Sequence, residues 1–245
     1  MKRINIPKKD EKLAEFLGVC FGDGCICIDR KTHTYSLFIT GHLINDELYI
    51  KNYLYQNIKL LFCIEPKIVN QKGNTLLLYV RSKELVEFLS RIGMQVGKKN
   101  NLKIPNWIKY DANFMKAFLR GFTDTDGSLT FKKRYRKIHY YPTISISSIN
   151  KNLIETAHIF LNKNGFKSGK IVKTFDKIDG YSKTYPHYRL FLYGKDNLEK
   201  WISLIGFTNM KHKSKYLVWK KLGHSPPYSI TENRIKIIEN PLSEI

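Results

Sequence analysis

LAEFLGVCFGDG at 13–24 and KAFLRGFTDTDG at 116–127 are two versions of one stretch. Each is an apolar, helix-like run that ends in an acid followed by glycine, Asp23-Gly24 in the first and Asp126-Gly127 in the second. The two aspartates lie 103 residues apart, and Lys67-Ile68-Val69 recurs as Lys170-Ile171-Val172 at the same spacing. LLYVRSKELVEFLSRIGM (77–94) is echoed by RLFLYGKDNLEKWISLIGF (189–207) at a slightly longer offset. Three matches in the same order make this a tandem duplication, so the chain is two similar halves, each opened by the same helix.

A carboxylate at the C-terminal end of a helix faces the negative end of the helix dipole, which is unfavourable without a compensating cation. The following glycine supplies the left-handed residue of a helix stop. One copy would be satisfied by an ordinary glycine-capped amphipathic helix; two copies ending alike point to a bound metal. Gly18 and Gly22 are four apart, as are Gly121 and Thr125, which puts a stripe of small residues on one face of each helix. Such stripes allow close approach of two backbones, and two helices packed through them would deliver Asp23 and Asp126 side by side.

The predicted elements repeat in each half as helix, hairpin, helix, hairpin, helix. In the first half they are a helix capped by Asp10, strands at 25–30 and 34–40, a helix from an Asn45 cap to about Phe62, strands at 65–71 and 75–81, and a helix from Lys83 to about Arg91. The second half runs through a helix at about 112–123, strands at 128–134 and 137–147, a helix from Asn150 to about Asn164, strands near 168–175 and 187–193, and a helix at 196–204. The expected class is α+β: two pseudo-symmetric α-β-β-α-β-β-α halves, each a four-stranded antiparallel sheet with helices on one face, joined through the packed motif helices. The expected divisions are an N-terminal half 1–96, a polar linker 97–111, a C-terminal half 112–223 and a tail 224–245. KSKYLVWKKLG (213–223) is one more expected helix; the tail, with Pro226-Pro227, shows no core pattern and is either loosely ordered or packed across the surface.

With 42 Lys+Arg against 21 Asp+Glu, the net charge of +21 fits a polyanionic partner, nucleic acid before anionic membrane. No apolar stretch is long enough to cross a bilayer and no apolar core follows the basic N-terminus, so an intracellular location is expected. Cys20, Cys25, Cys27 and Cys63 form no Cys-x-x-Cys pair and read as reduced thiols. In the strand at 128–134, Ser128, Thr130, Lys132 and Arg134 alternate away from Leu129 and Phe131. In the next, His139, Tyr141, Thr143 and Ser145 alternate away from Ile144 and Ile146. This polar, partly basic face suits the major groove of duplex DNA. Arg189 joins it, and Lys67, Gln71, Tyr79 and Arg81 are the counterparts in the first half.

The paired stretches resemble the LAGLIDADG motif of the homing endonucleases, in the monomeric two-motif form. FLGVCFGDG (16–24) and LRGFTDTDG (119–127) keep the glycines at the third and ninth positions and the acid at the eighth, while Phe21 replaces the sixth-position acid and Arg120 a small residue. The resemblance spans roughly residues 10–222. It implies Asp23 and Asp126 as metal ligands, with the carbonyls of Gly22 and Thr125 completing coordination. The metal would be Mg²⁺, with Mn²⁺ or Ca²⁺ able to replace it for binding. It further implies a lysine beyond each half's last helix, which counting from Gly93 and Gly206 places at Lys98 and Lys211; Gly41-His42 and Ser147-Ser148 stand where the family has a polar residue after the second strand. The implied activity is Mg²⁺-dependent hydrolysis of both strands of a long asymmetric duplex site, leaving short 3′ overhangs. The implied protein acts as a monomer without an obligatory protein partner. The alternative is an RNA maturase acting on a host intron, or an inactive nucleic-acid binder on the same scaffold. A self-splicing intein is not expected, because the motif begins close to Met1.

Overall fold

Asp10 caps the first motif helix as expected, its carboxylate accepting the Leu13 N–H at 2.8 Å. The computed structural model describes residues 4–177 and 184–240. The first half comprises α1 (Glu11–Gly22), β1 (Gly24–Asp29), β2 (Thr34–His42), a π-helical stretch (Tyr49–Leu54) running into α2 (Tyr55–Phe62), β3 (Lys67–Gln71), β4 (Thr75–Arg81) and α3 (Lys83–Arg91). A short α4 (Asn106–Lys109) lies in the connection. The second half follows with α5 (Ala112–Asp126), β5 (Gly127–Lys132), β6 (Tyr141–Ser148), α6 (Lys151–Lys163), β7 (Val172–Lys177), β8 (Thr184–Tyr193), α7 (Lys195–Leu204), α8 (Met210–Leu222) and α9 (Thr231–Glu239). Two antiparallel four-stranded sheets result, ordered β1-β2-β4-β3 and β5-β6-β8-β7. The fold is the α+β arrangement read from the sequence.

Register separates the faces of each sheet. In the first, Ile26, Leu37, Val80, Ile39 and Leu78 are buried, Ile26 opposite Leu37, Leu37 opposite Val80 and Ile39 opposite Leu78. In the second, Leu129, Ile144 and Leu192 form one buried row and Ile146 and Leu190 another. The helices cover these faces, with Phe16, Phe62, Phe118, Phe122 and Trp201 fully enclosed. Each side chain of this size contributes about 1.5–3 kcal/mol on burial.

The motif helices pack along each other through the predicted stripe. A Cβ on Gly18 would lie 2.1 Å from the Phe118 carbonyl oxygen, and one on Gly121 the same distance from the Glu15 carbonyl oxygen. A Cβ on Gly22 would meet Thr125 Oγ1 at 2.0 Å. At Gly18 and Gly121 the backbones themselves touch, so only glycine fits there.

The inner edges of the two sheets are closed differently. Beside β1, Val96 bridges Ile26 and the Gly97 N–H donates to the Ile26 carbonyl at 2.9 Å. Beside β5, side chains of α8 do the same work: Lys215 Nζ donates to the Leu129 carbonyl at 3.0 Å and His212 Nδ1 accepts the Leu129 N–H at 3.4 Å. Both devices satisfy backbone groups that an open edge would leave unpaired.

Three local expectations are corrected. Asn45 caps no helix; the segment enters its π-helical turn without a side-chain cap, and Asp46 instead accepts the His42 N–H at 3.0 Å. β5 stops at Lys132 and β6 begins only at Tyr141, because Arg134 turns into the left-handed region at φ 47° and residues 133–140 form the connecting loop. The tail forms α9 against α8, where Lys221 Nζ binds the last carbonyls of α9, including Ile237 at 2.8 Å. Residues 241–245 of the predicted tail lie outside the described residues.

Gly18→Ala or Gly121→Ala should each destabilise the protein by about 2 kcal/mol or more, as overpacking against backbone does. Urea midpoints would show it, with Gly169→Ala, whose added Cβ meets nothing within 4 Å, as the near-neutral control.

Candidate metal centre and nucleic-acid interface

Because α1 and α5 touch at their glycines, their C-termini emerge together and carry Asp23 and Asp126 into one place. Asp23 is half-buried, while the side chain of Asp126 opens to solvent at the end of its helix. Burial raises Asp23 most, the charge of Asp126 next, and its pKa reaches about 7 despite Lys211 and Lys99 nearby. Burial likewise raises Asp126, opposed by Lys99, His187 and Lys211. Two neighbouring acids at the crowded helix ends, one raised by the charge of the other, are relieved by a cation between them.

Backbone oxygens add to the donor set. The C-terminal carbonyls of α1 are free of helical partners, and Lys99 Nζ donates to those of Phe21, at 3.0 Å, and Gly22. Thr125 turns its hydroxyl back onto its own helix, to Phe122 O at 2.9 Å, so only its carbonyl could join a metal. Carboxylate and carbonyl oxygens suit a hard divalent ion such as Mg²⁺, Mn²⁺ or Ca²⁺. Among the described residues no three His, Cys, Asp or Glu side chains gather to hold a metal alone. The pair fits an ion that takes further ligands from a bound phosphate and water.

The lysine count is off by one. Lys98 is exposed, whereas Lys99 reaches the α1 carbonyls. The connection beyond Gly93 is one residue longer than that beyond Gly206, which no periodicity reveals. Lys211 does stand beside the acids, paired with Asp46 at 3.0 Å.

Residues of the opposite half hold both lysines. Asn150 donates to the Lys99 carbonyl at 2.9 Å and accepts the Leu102 N–H at 2.9 Å, and its side chain makes no cap to α6. Asp46 fixes Lys211 and accepts Asn209 Nδ2 at 2.8 Å. Asn209 caps α8 through the Lys211 N–H at 2.9 Å. Asp124, the sixth-position acid of the second motif, accepts the N–H groups of Thr208 and Asn209 at 2.8 and 3.1 Å, so it positions the start of α8. Its counterpart Phe21 packs edge-on against Phe118, with centroids 5.2 Å apart. Arg120 pairs with buried Glu15, Nε to Oε2 at 2.9 Å, and so ties the motif helices together where a small residue was expected.

The faces away from the helices carry most of the predicted contact residues. In the first sheet Lys67, Tyr79, Phe38 and Cys25 form one cross-strand row, and Arg81, Ser36 and Cys27 another. Gln71 pairs with Thr75, which on its other side pairs with His42. Phe38 and Thr40 escaped the sequence reading because apolar residues interrupt the alternation on both faces. In the second sheet Ser128 meets Ser145 through their hydroxyls at 2.8 Å, Thr130 and Lys132 are exposed, and Arg189 lies opposite Ser147 and Val172. Tyr141 stacks under Arg134, 4.0 Å from its ring centroid. Two predicted positions are not presented to solvent on this face. His139 precedes β6 and turns its Nδ1 to the Phe131 carbonyl at 2.8 Å. Thr143 is buried opposite Tyr193, which stacks on Phe191. No helix among the described residues is long and apolar enough to cross a membrane.

Residues 113–206 match the family model of a LAGLIDADG-like domain. A mesophilic variant of the homing endonuclease I-DmoI superposes with a TM-score of 0.52 at 19% identity, covering 80% of this chain and 95% of that one. I-DmoI in complex with DNA and Mn gives the same TM-score at 20% identity, over 80% and 96%. A mutant of I-SmaMI gives 0.54 at 13% identity over 89% and 91%. Two curated relatives match by sequence. The replication factor C small subunit of Methanocaldococcus jannaschii is 30% identical over 87% of this chain, and an A-type ATP synthase subunit of Pyrococcus abyssi is 33% identical over 81%. The chain spans 10% and 17% of the length of those two relatives. The chain carries a LAGLIDADG-like domain and has the two-domain LAGLIDADG fold across both halves.

Asp124 yields a pH prediction. Fully buried, with Oδ1 unpartnered among the described residues, its pKa rises from 3.8 to about 8. An acid raised on folding binds its proton more tightly in the folded state. Its contribution is present below the unfolded value and lost as pH climbs through about 8. Asp124→Asn, which can still accept both N–H groups, should therefore gain denaturant midpoint relative to the parent at pH 8, and the gain should vanish near pH 4.

Proposed function

We propose that this chain, with its two-domain LAGLIDADG fold, is a site-specific DNA endonuclease that hydrolyses both strands of a long asymmetric duplex and leaves short 3′ overhangs. The observation that supports this most is the convergence of Asp23 and Asp126 from two glycine-packed helices, each acid with a lysine beside it. The paired open faces, rich in Lys, Arg and hydroxyls, supply the means to hold a duplex: cationic side chains take phosphates, and Gln71, Ser128, Thr130 and Ser145 offer donors and acceptors to base edges. The two curated relatives carry unrelated names while sharing this segment, which supports reading it as a self-contained unit whose activity is its own.

Asp23, Asp126 and the carbonyls of Gly22 and Thr125 would hold Mg²⁺, with Mn²⁺ or Ca²⁺ able to replace it for binding. When bound, the divalent ion supplies Lewis acidity at the scissile phosphate and lowers the pKa of an attacking water. The chain's own residues set the geometry. The two aspartates orient that water and the phosphate between the helix ends. Lys99 and Lys211 place positive charge where it develops on the phosphoryl oxygens, each steadied from the other half. Two carboxylates at one interface serve one strand each, so a single chain suffices and action as a monomer follows. An intracellular location goes with a DNA substrate.

The test is a Mg²⁺-dependent assay on a library of randomised long duplexes with sequencing of the ends. Discrete cuts with 3′ overhangs are expected, and Asp23→Asn or Asp126→Asn should abolish double-strand cutting. Full cutting by Asp126→Asn would sink the assignment. Lys99→Met should lose about 10²-fold or more in cleavage rate, whereas Lys98→Met should stay close to the parent. Tight binding to DNA or intron RNA without cuts would identify a maturase or regulator.

A further inference from the structure

Beside β5 lies a cavity of about 480 Å³ whose walls include Thr130, His139, Lys211, Lys215, Ser225 and Arg234 and contain no Asp or Glu. It is built by the C-terminal segment. The Ser225 N–H donates to the His139 carbonyl at 2.9 Å, and the hydroxyl of Thr231 approaches the Asn45 carbonyl at 3.5 Å. Arg234 is 1% exposed and satisfied wholly by neutral oxygens, among them Ser214 Oγ at 2.8 Å, Thr231 Oγ1 at 3.0 Å and the Lys211 carbonyl at 3.2 Å. Its charge is therefore uncancelled at the cavity wall. Asp46, the acid nearby, is already engaged with Lys211.

Lys215 is the available ligand. One of its three N–H groups goes to the Leu129 carbonyl, which fixes the ammonium at the wall and leaves two donors. Burial first, then Arg234 and Lys211, pull its pKa down to about 8, the mark of a cation held among cations. Desolvated like charges of this kind are stabilised by an anion.

We propose that this cavity is an oxyanion site for a phosphate, with Lys215 as its principal ligand and the uncancelled Arg234 charge as its field. The site rests on the DNA reading for its biological occupant, a backbone phosphodiester. Thr130 places the mouth on the open face of the second sheet, and Lys211 joins it to the paired acids. The chain thereby gains a phosphate clamp outside both sheets, which fixes the duplex relative to the cleavage centre without reading sequence. Inorganic phosphate or sulfate shares the chemistry and serves as the probe.

The full chain is compared with Lys215→Gln, Lys215→Arg and Lys213→Gln, the last being an exposed lysine of the same helix. Duplex affinity is measured against salt. Lys215→Gln should weaken binding about tenfold at 0.1 M salt, as loss of a charged hydrogen bond does. It should also lower the log–log salt slope by about 0.9. Lys215→Arg should recover most of the slope and Lys213→Gln should keep the parental affinity. A Lys215→Gln slope equal to the parental one overturns the proposal. Should that variant fail to fold, acylation of the parent settles the matter: sulfate should slow modification of Lys215 and not of Lys213, and equal rates overturn the site. If the parent binds no duplex yet sulfate protects Lys215, the pocket stands as a free-phosphate site and the DNA reading falls.

Discussion

The contact between Gly18 and the Phe118 carbonyl, with its mate between Gly121 and the Glu15 carbonyl, is the constraint on which the molecule depends. Any side chain there would drive the motif helices apart by the thickness of a methyl group or more. The carboxylates at the helix ends would then separate, hydrate and lose their mutual coupling. Close packing thus has an electrostatic product. It holds two acids where their charge is costly, raising Asp23 to about 7, and so creates affinity for a cation. The Arg120–Glu15 pair strengthens the same interface from its margin, where a long side chain can reach across because the backbones are already in contact.

A second consequence is that neither half is complete. The amide of Asn150 steadies the linker that carries Lys99, and the carboxylate of Asp46 holds Lys211. Both residues stand just before the helix that follows the first hairpin of their half, so the duplication has given one position the same duty twice. The duties are met with different chemistry. Asp46 binds its lysine's ammonium, while Asn150 binds the main chain of its lysine and leaves the Lys99 ammonium free to lie on the α1 carbonyls. The pseudo-symmetric scaffold therefore presents two unlike surroundings to the two acids, as an asymmetric duplex would require of it.

What the sequence disclosed follows from what is periodic. The duplicated helices, their terminal aspartates and the small-residue stripe depend on spacing within one segment, and the alternation along β5 exposed its open face. Failures arose where contacts join distant segments. Lys99 was missed by one position because the length of an irregular connection leaves no periodic trace. Asn150 was read only as the start of a helix, since nothing local to it shows that its amide reaches the linker carrying Lys99. Thr143 was placed among the contact residues by alternation alone, which gives the face of a side chain and cannot report that it is buried there beside Tyr193. Phe38 was passed over for the opposite reason, because an open face bearing Cys, Phe and Val resembles a buried one.

The C-terminal segment was the least legible stretch, and Arg234 explains why. A helix that docks by burying apolar residues announces itself by period, but α9 docks by burying a guanidinium. Its five N–H groups find carbonyl and hydroxyl oxygens of α8 and of the preceding turn, an arrangement without a sequence pattern. Burying a charge without a counter-charge is unfavourable unless its donors are all satisfied and its field is used. The donors are satisfied here. The field falls on Lys215 and on a cavity without acids, beside a centre whose substrate would be a polyanion. If the cavity takes a phosphate, the cost of burying this charge in the free protein would be offset on binding, and α9 would then couple the stability of the second half to occupancy of the cleft.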